Sequence, residues 1–164
     1  MKRFIAPCTF ALAMAFLAPD PTAAGEAKQR PAPPFAVRAL DGKWVRSSEL
    51  KGKPIVLDFW ATWCGPCRAS MPHLNRMQLL YGEEGLVVLG LSVDDLSPAV
   101  VQRFADRLGV RFRLAMADEK VLDLYGPIRA IPTTFFINRD GVVVRRVVGY
   151  IDEETLDGFV RELF

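Results

Sequence analysis

Trp60-Ala61-Thr62-Trp63-Cys64-Gly65-Pro66-Cys67-Arg68 is the stretch around which the rest of the chain organises. It places two cysteines three positions apart, directly after the apolar run Ile55 to Trp60 and at the head of a segment with helical spacing. Where a strand passes into a helix, two such thiols can close a small disulfide with little movement. The first lies at the helix N-terminus, whose free backbone N–H groups and macrodipole favour an anion. Its pKa is lowered accordingly; in Cys-X-X-Cys motifs values near 7 occur, against about 8.5 for a free thiol. That difference corresponds to roughly 2 kcal/mol. It raises the thiolate fraction at pH 7 from about 3% to about half. Cys64 is therefore the expected nucleophile. Cys67, one turn inside the helix and less exposed, is expected to resolve the mixed disulfide.

The neighbouring segments supply a frame for that turn. Ile55 to Trp60, apolar at nearly every position after Pro54, suits a central strand buried on both faces. Leu86 to Val93 is a second run of the same kind. Between them, Pro66 to Tyr81 carries Met71, Leu74, Met77 or Gln78, and Leu80 at roughly helical spacing. Strand, helix and strand with short loops imply a parallel pair with a right-handed crossover. Upstream, Phe35 to Leu40, Asp41-Gly42 and Lys43 to Arg46 read as a hairpin on an Asp-Gly turn. Downstream, Ser97 caps a helix with Pro98 in its first turn and Val100, Val101, Phe104 and Leu108 on one face. Arg111 to Ala115 reads as a short strand, and Asp118 to Tyr125 as a short helix ended by Gly126-Pro127. Thr133 to Ile137, the turn Asn138 to Gly141, and Val142 to Val148 make a second hairpin. Asp152 caps a last helix with Leu156, Phe159, Val160 and Leu163 at i, i+3, i+4, i+7 spacing. The order predicts an α/β domain with a mixed sheet flanked by helices.

A length of 164 residues suits one domain. The charged fraction of 24% and aromatic fraction of 10% are those of a globular chain. Twenty-one Lys+Arg against nineteen Asp+Glu give no electrostatic case for nucleic acid or an anionic membrane surface. Three cysteines are too few for a disulfide-stapled scaffold, and no internal repeat is visible.

The N-terminus reads differently from the domain. Lys2 and Arg3 precede the uncharged, mostly apolar run Phe4 to Ala18; Pro19, Asp20 and Pro21 break it, and Thr22-Ala23-Ala24 offers small residues for cleavage. Residues 1–24 have the layout of a secretory signal peptide, cut after Ala24 and taking Cys8 with it. The alternative is an uncleaved anchor, but a spanning helix needs about 20 apolar residues. Residues 25–34, with Pro31, Pro33 and Pro34, read as an extended linker. Residues 35–164 are then the domain. Its two cysteines sit in an exported protein, where disulfides persist.

Other readings of the cysteine pair differ in weight. A structural zinc site needs four ligands, and beside the pair the exported chain offers only His73, so no metal site is expected. A static structural disulfide has no need of two flanking tryptophans at a helix start. Two thiolates do suit Cu(I), so a copper-binding or metallochaperone module stays open as the alternative. A peroxidase lacks a separate peroxidatic cysteine outside the pair.

Leu57-Asp58-Phe59-Trp60-Ala61-Thr62-Trp63-Cys64-Gly65-Pro66-Cys67 resembles the active-site signature of thioredoxin-like proteins. It is similar in particular to the exported TlpA/ResA-like branch, which includes thiol reductants of cytochrome c maturation. The resemblance runs from about Pro33 to Phe164. It is carried also by the Leu-Asp-Gly hairpin, the Ser-Glu-Leu-Lys-Gly-Lys-Pro lead-in, and Ile131-Pro132-Thr133-Thr134. It implies a thioredoxin-like fold with an N-terminal β-hairpin and a central helix-strand insertion between Asp94 and Pro132. Pro132 is then a cis proline facing the dithiol, so that Ile131 presents its backbone to an extended substrate. Trp63 would cover the thiol pair, Gly149 would lie beside the same groove, and Gly65 and Pro66 complete the substrate-binding set. Copper-handling relatives of this fold have a wider cysteine spacing and a distant histidine, unlike this chain.

Asp58 departs most from the branch, which more often has asparagine there; thioredoxins have a buried aspartate. A buried carboxylate with no positive partner has a raised pKa, which suits a proton acceptor for Cys67. The lysine that accompanies this aspartate in thioredoxins is replaced by Gly90. Phe59, Trp60 and Met71 read as core, Pro72 as a kink, and His73 as a surface residue. The whole implies a periplasmic thiol–disulfide oxidoreductase that needs no bound cofactor and acts as a monomer. Gly65-Pro66, as in thioredoxin, favours a reductant of protein disulfides, supplied with electrons by a membrane-embedded thiol donor. Apocytochrome c, a copper-site protein and a general pool of misoxidised thiols all remain open as targets.

Overall fold

A computed structural model describes residues 30–164; the signal peptide expected at residues 1–24, Cys8 and linker residues 25–29 lie outside the described residues. The chain runs β1 (Arg30–Pro31), β2 (Ala36–Arg38), β3 (Trp44–Arg46), a 3-10 turn (Ser47–Leu50), β4 (Ile55–Trp60), α1 (Gly65–Tyr81), β5 (Val87–Ser92), α2 (Pro98–Arg107), β6 (Arg113–Met116), α3 (Glu119–Tyr125), β7 (Thr133–Ile137), β8 (Val142–Val148) and α4 (Glu153–Arg161). Six strands form one sheet in the order β1-β8-β7-β4-β5-β6, and β2 and β3 form a separate two-stranded hairpin. β5 is parallel to β4 and to β6, whereas β7 is antiparallel to β4 and β8 to β7. This is a thioredoxin-like fold with a mixed sheet.

Burial explains the order. Every residue of β4 is buried, as the unbroken apolar run required, because helices or the hairpin cover both sheet faces. On one face α1 contributes Cys67, Met71, Leu74 and Met77, α2 contributes Val101 and Ala105, and α4 contributes Leu156 and Val160. Each buried Val, Leu or Met among them is worth about 1.5–3 kcal/mol. On the other face lie Val37 and Val45 of the hairpin and Val121 and Tyr125 of α3. The hairpin is tied to the β6 edge by the Ala39–Ala115 bridge and by Leu40 N–H donating to the Leu114 carbonyl at 2.9 Å. Between β7 and β8 the Asn138 side chain accepts from the N–H groups of Asp140 and Val142. Gly141 there takes φ +74°, a conformation that costs glycine little.

The structure differs from the sequence reading in three places. Arg30 and Pro31, expected in the linker, pair with Val143 and Val142 of β8 as an edge strand. Pro31 is tolerated there because an edge strand has a free side that needs no donor. The following segment is held by Tyr125, whose hydroxyl donates to the Pro33 carbonyl at 2.9 Å. In α2 the buried stripe is Val101 and Ala105, while Val100 and Leu108 are more than a third exposed, so the helix is rotated from the expected face. Ser97 stands at its N-cap position but makes no side-chain capping bond. Its carbonyl alone takes the first N–H groups, those of Val100 and Val101.

Candidate active site

Where β4 ends and α1 begins, Cys64 and Cys67 form a disulfide, with Cα atoms 5.3 Å apart. Cys64 is the N-cap of α1: its backbone is extended, and its Sγ accepts the Cys67 N–H at 3.1 Å. Pro66 occupies the first turn, where no N–H is needed. The sulfur that would carry negative charge in the reduced state thus already lies against a free helix-end donor. Cys64 is 5% exposed and Cys67 1%. Gly65 and Pro66, between them, are exposed.

The opposite wall comes from the turn into β7. The Ile131–Pro132 peptide is cis, and the Ile131 carbonyl oxygen lies 3.7 Å from Cys64 Sγ. Gly149, just after β8, donates its N–H to the Pro132 carbonyl at 2.8 Å with φ +103°, which fixes that turn from behind. Trp63 is 69% exposed and, with Val93, Leu122, Ile128 and Ile131, walls a groove of about 470 Å³. The Gly126–Pro127 peptide, at the far side of this loop, is also cis, which nothing in the sequence signalled.

Asp58 lies in β4 between Val56 and Trp60, on the sheet face that α1 covers. It is 2% exposed and accepts a hydrogen bond from the Thr134 hydroxyl at 2.7 Å. It borders a cavity of about 10 Å³ together with Ser70 and Leu74, which share the buried face of α1 with Cys67. Burial raises its pKa from 3.8 to about 7, and the Thr134 hydroxyl opposes that rise. Gly90 is its register partner on β5. A Cβ on Gly90 would come within 2.6 Å of Leu114 and 3.1 Å of Phe112 and Trp60 Nε1. Apolar side chains therefore fill the place where a cationic side chain would relieve the carboxylate. Trp60 Nε1 itself is buried there without a hydrogen-bond partner.

Two residues carry more than the sequence indicated. His73 is no free surface residue: it is half-buried, with Nδ1 3.2 Å from Glu153 and Nε2 3.2 Å from the Tyr150 hydroxyl, so it ties α1 to the loop after Gly149. Asp94, just past β5, is buried and takes three hydrogen bonds. These come from the Thr62 N–H at 2.9 Å, the Thr62 hydroxyl at 2.7 Å and the Ser92 hydroxyl at 2.7 Å. It anchors the loop that presents Trp63 and Cys64. Asp94→Ala would leave the Thr62 N–H and two hydroxyls without their acceptor. The expected loss is about 2–3 kcal/mol of folding stability, seen as a lower urea midpoint. An unchanged midpoint would show that the loop is held by other contacts. Among the described residues, no group of three or more His, Cys, Asp or Glu side chains is arranged to hold a metal ion.

Comparison with known proteins agrees with this geometry. The family model described as AhpC/TSA family matches residues 29–146. The chain is 36% identical over 133 residues to the thiol-disulfide oxidoreductase ResA of Bacillus thuringiensis (strain Al Hakam), covering 80% of this chain and 76% of that protein. Among solved structures, it is similar to a thiol:disulfide interchange protein, thioredoxin family protein, from Chlorobium tepidum TLS. The identity there is 30% and the TM-score 0.76, over 85% of this chain and 99% of that one. A secreted Mycobacterium tuberculosis disulfide oxidoreductase homologous to E. coli DsbE is 25% identical with a TM-score of 0.66, over 79% of this chain and 96% of that one.

Proposed function

This chain belongs to the AhpC/TSA family and is a thiol–disulfide oxidoreductase, and on that premise we propose that it is an exported reductant of protein disulfides. The observation that carries this reading is the Cys64–Cys67 disulfide at the head of α1, with the Ile131 carbonyl 3.7 Å from Cys64 Sγ. In the reduced enzyme the Cys64 thiolate attacks one sulfur of a target disulfide, and the other target sulfur leaves as a thiolate and takes up a proton. Cys67 gives its proton to Asp58 and attacks Cys64 Sγ. The second target sulfur then leaves. Two electrons pass from the enzyme dithiol to the target, and the enzyme disulfide seen here is the product. Ile131 offers an extended target segment its backbone beside the sulfur, between Trp63 on one side and Gly149 behind.

Export rests on the signal-peptide layout of residues 1–24, with residues 25–34 leading into the domain, and on the secreted relative named above. Among the described residues no helix is long and apolar enough to cross a membrane. A membrane-embedded thiol donor in the periplasm re-reduces the pair, and the enzyme acts as a monomer in a pathway such as cytochrome c maturation. Insulin reduction measured beside Cu(I) titration tests the activity: disulfide reduction is expected, and tight copper binding without it would overturn the reading in favour of a copper module. The direction is tested in cells. Alkylation of fresh extracts should find the pair mainly reduced while the donor pathway works; a wholly oxidised pair would identify an oxidase or isomerase instead.

A further inference from the structure

Two arginines stand in the active-site segments, and among the described residues neither has an ion-pair partner. Arg129 stands two residues before Ile131 and lines the same groove as Trp63 and Ile131. Arg68 follows Cys67, and its Nη2 lies 3.9 Å from where a Cβ on Gly65 would sit, so its guanidinium reaches back beside the residue between the cysteines. Both side chains are exposed, and among the described residues neither forms an ion pair within 4.0 Å. Asp94 is buried and committed to Thr62 and Ser92. Asp95 and Asp123, the exposed carboxylates closest to the groove residues in sequence, pair with neither arginine and do not line the groove. The N-terminus of α1 adds its own positive end at the same place.

Resting on the disulfide-reductase reading above, we propose that this groove selects target segments with an acidic residue within a few positions of the reacting cysteine. The apolar walls formed by Trp63, Leu122, Ile128 and Ile131 take an apolar side chain of the extended target, while Arg129 and Arg68 meet a carboxylate at the rim. The selection is local, since the whole chain carries a net charge of only +2. Exposed guanidinium–carboxylate pairs are individually weak. The preference is therefore about two- to fivefold in kcat/KM for each arginine at low ionic strength, and it shrinks as added salt shortens the screening length.

Disulfide-bonded peptides that differ at one position provide the test. Glu, Gln or Lys is placed beside the reacting cysteine, and a fourth peptide carries Glu eight residues away. The full chain is compared with Arg129→Glu and Arg68→Glu, both at exposed positions where a charge change does not disturb packing. For the unaltered enzyme the expected order of kcat/KM is Glu above Gln above Lys, with the distant Glu equal to Gln. Arg129→Glu should reverse that order, and Arg68→Glu should weaken it. Equal rates for all four peptides, or a preference insensitive to both substitutions, would overturn the inference while leaving disulfide reduction in place. Failure to reduce even the Gln peptide would instead overturn the functional reading on which it rests.

Discussion

Replacing Cys67 by serine is expected to leave the enzyme covalently attached to its targets. Cys64 is the more accessible of the two sulfurs and caps α1, where a helix-end N–H already points at it from 3.1 Å. Its attack on a target disulfide needs nothing from Cys67. Release does: the mixed disulfide is broken by the second thiol, held within bonding distance in the same turn. A serine hydroxyl cannot perform that step. The adduct of Cys67→Ser should then persist for minutes to hours, about the pace of uncatalysed disulfide rearrangement, while steady-state turnover falls to background. Non-reducing gels of alkylated extracts would show discrete high-mass bands that collapse with dithiothreitol, and mass spectrometry of those bands would identify the natural targets. Cys64→Ser should form almost none, because Cys67 is buried beneath the first turn of α1. Equal trapping by both variants would show that the roles are reversed or shared.

How far the sequence carried depends on how local each signal was. β4, α1 and β5 were legible because an apolar run of six residues, a helical stripe and a second apolar run each report burial directly. The cysteine pair was legible for the same reason: its spacing and its place at a helix start are local facts. Asp58 stood out as a carboxylate inside an apolar strand. What surrounds it was not visible, because the packing of Leu114, Phe112 and Trp60 over Gly90 joins residues far apart in the chain. β1 has two residues, one of them proline, and no periodicity; only the free edge of β8 makes it a strand. Asp94 sits in a Ser-Val-Asp-Asp stretch that reads as a polar loop, and its role exists only once Thr62 is folded against it. Arg129 is likewise ordinary until the Ile131 turn brings it to the groove beside Trp63.

Asp58→Asn is expected to make the protein more stable and its chemistry slower at neutral and alkaline pH. Burial raises the folded pKa to about 7 from the ordinary 3.8. As pH rises, the unfolded chain loses this proton first, so the folded state loses stability between pH 3.8 and about 7. Above the folded pKa the cost is constant, and a difference of that size corresponds to about 4 kcal/mol. Asparagine keeps the shape and the oxygen that accepts the Thr134 hydroxyl, and it removes the ionisation. Its amide also brings two N–H donors into a nearly closed space, and an unsatisfied buried donor costs about 1–3 kcal/mol. The net gain should therefore be about 1–3 kcal/mol at pH 8, falling through zero as pH is lowered toward 4, where the wild-type carboxyl is already neutral. The rate responds in the opposite sense. Asp58 borders a small cavity with Ser70 and Leu74, which lie on the buried face of α1 that also carries Cys67, and its pKa is raised to about 7, so it is suited to take the Cys67 proton at the resolving step. Without it, resolution should slow by about 10²–10⁴-fold near pH 7, the usual worth of a positioned base. The deficit should narrow at higher pH as Cys67 ionises unaided. Urea melts from pH 4 to 9, paired with stopped-flow disulfide reduction over the same range, measure both effects on one pair of proteins. A variant less stable than wild type at pH 8 and resolving at the wild-type rate would leave Asp58 as an ordinary strand residue.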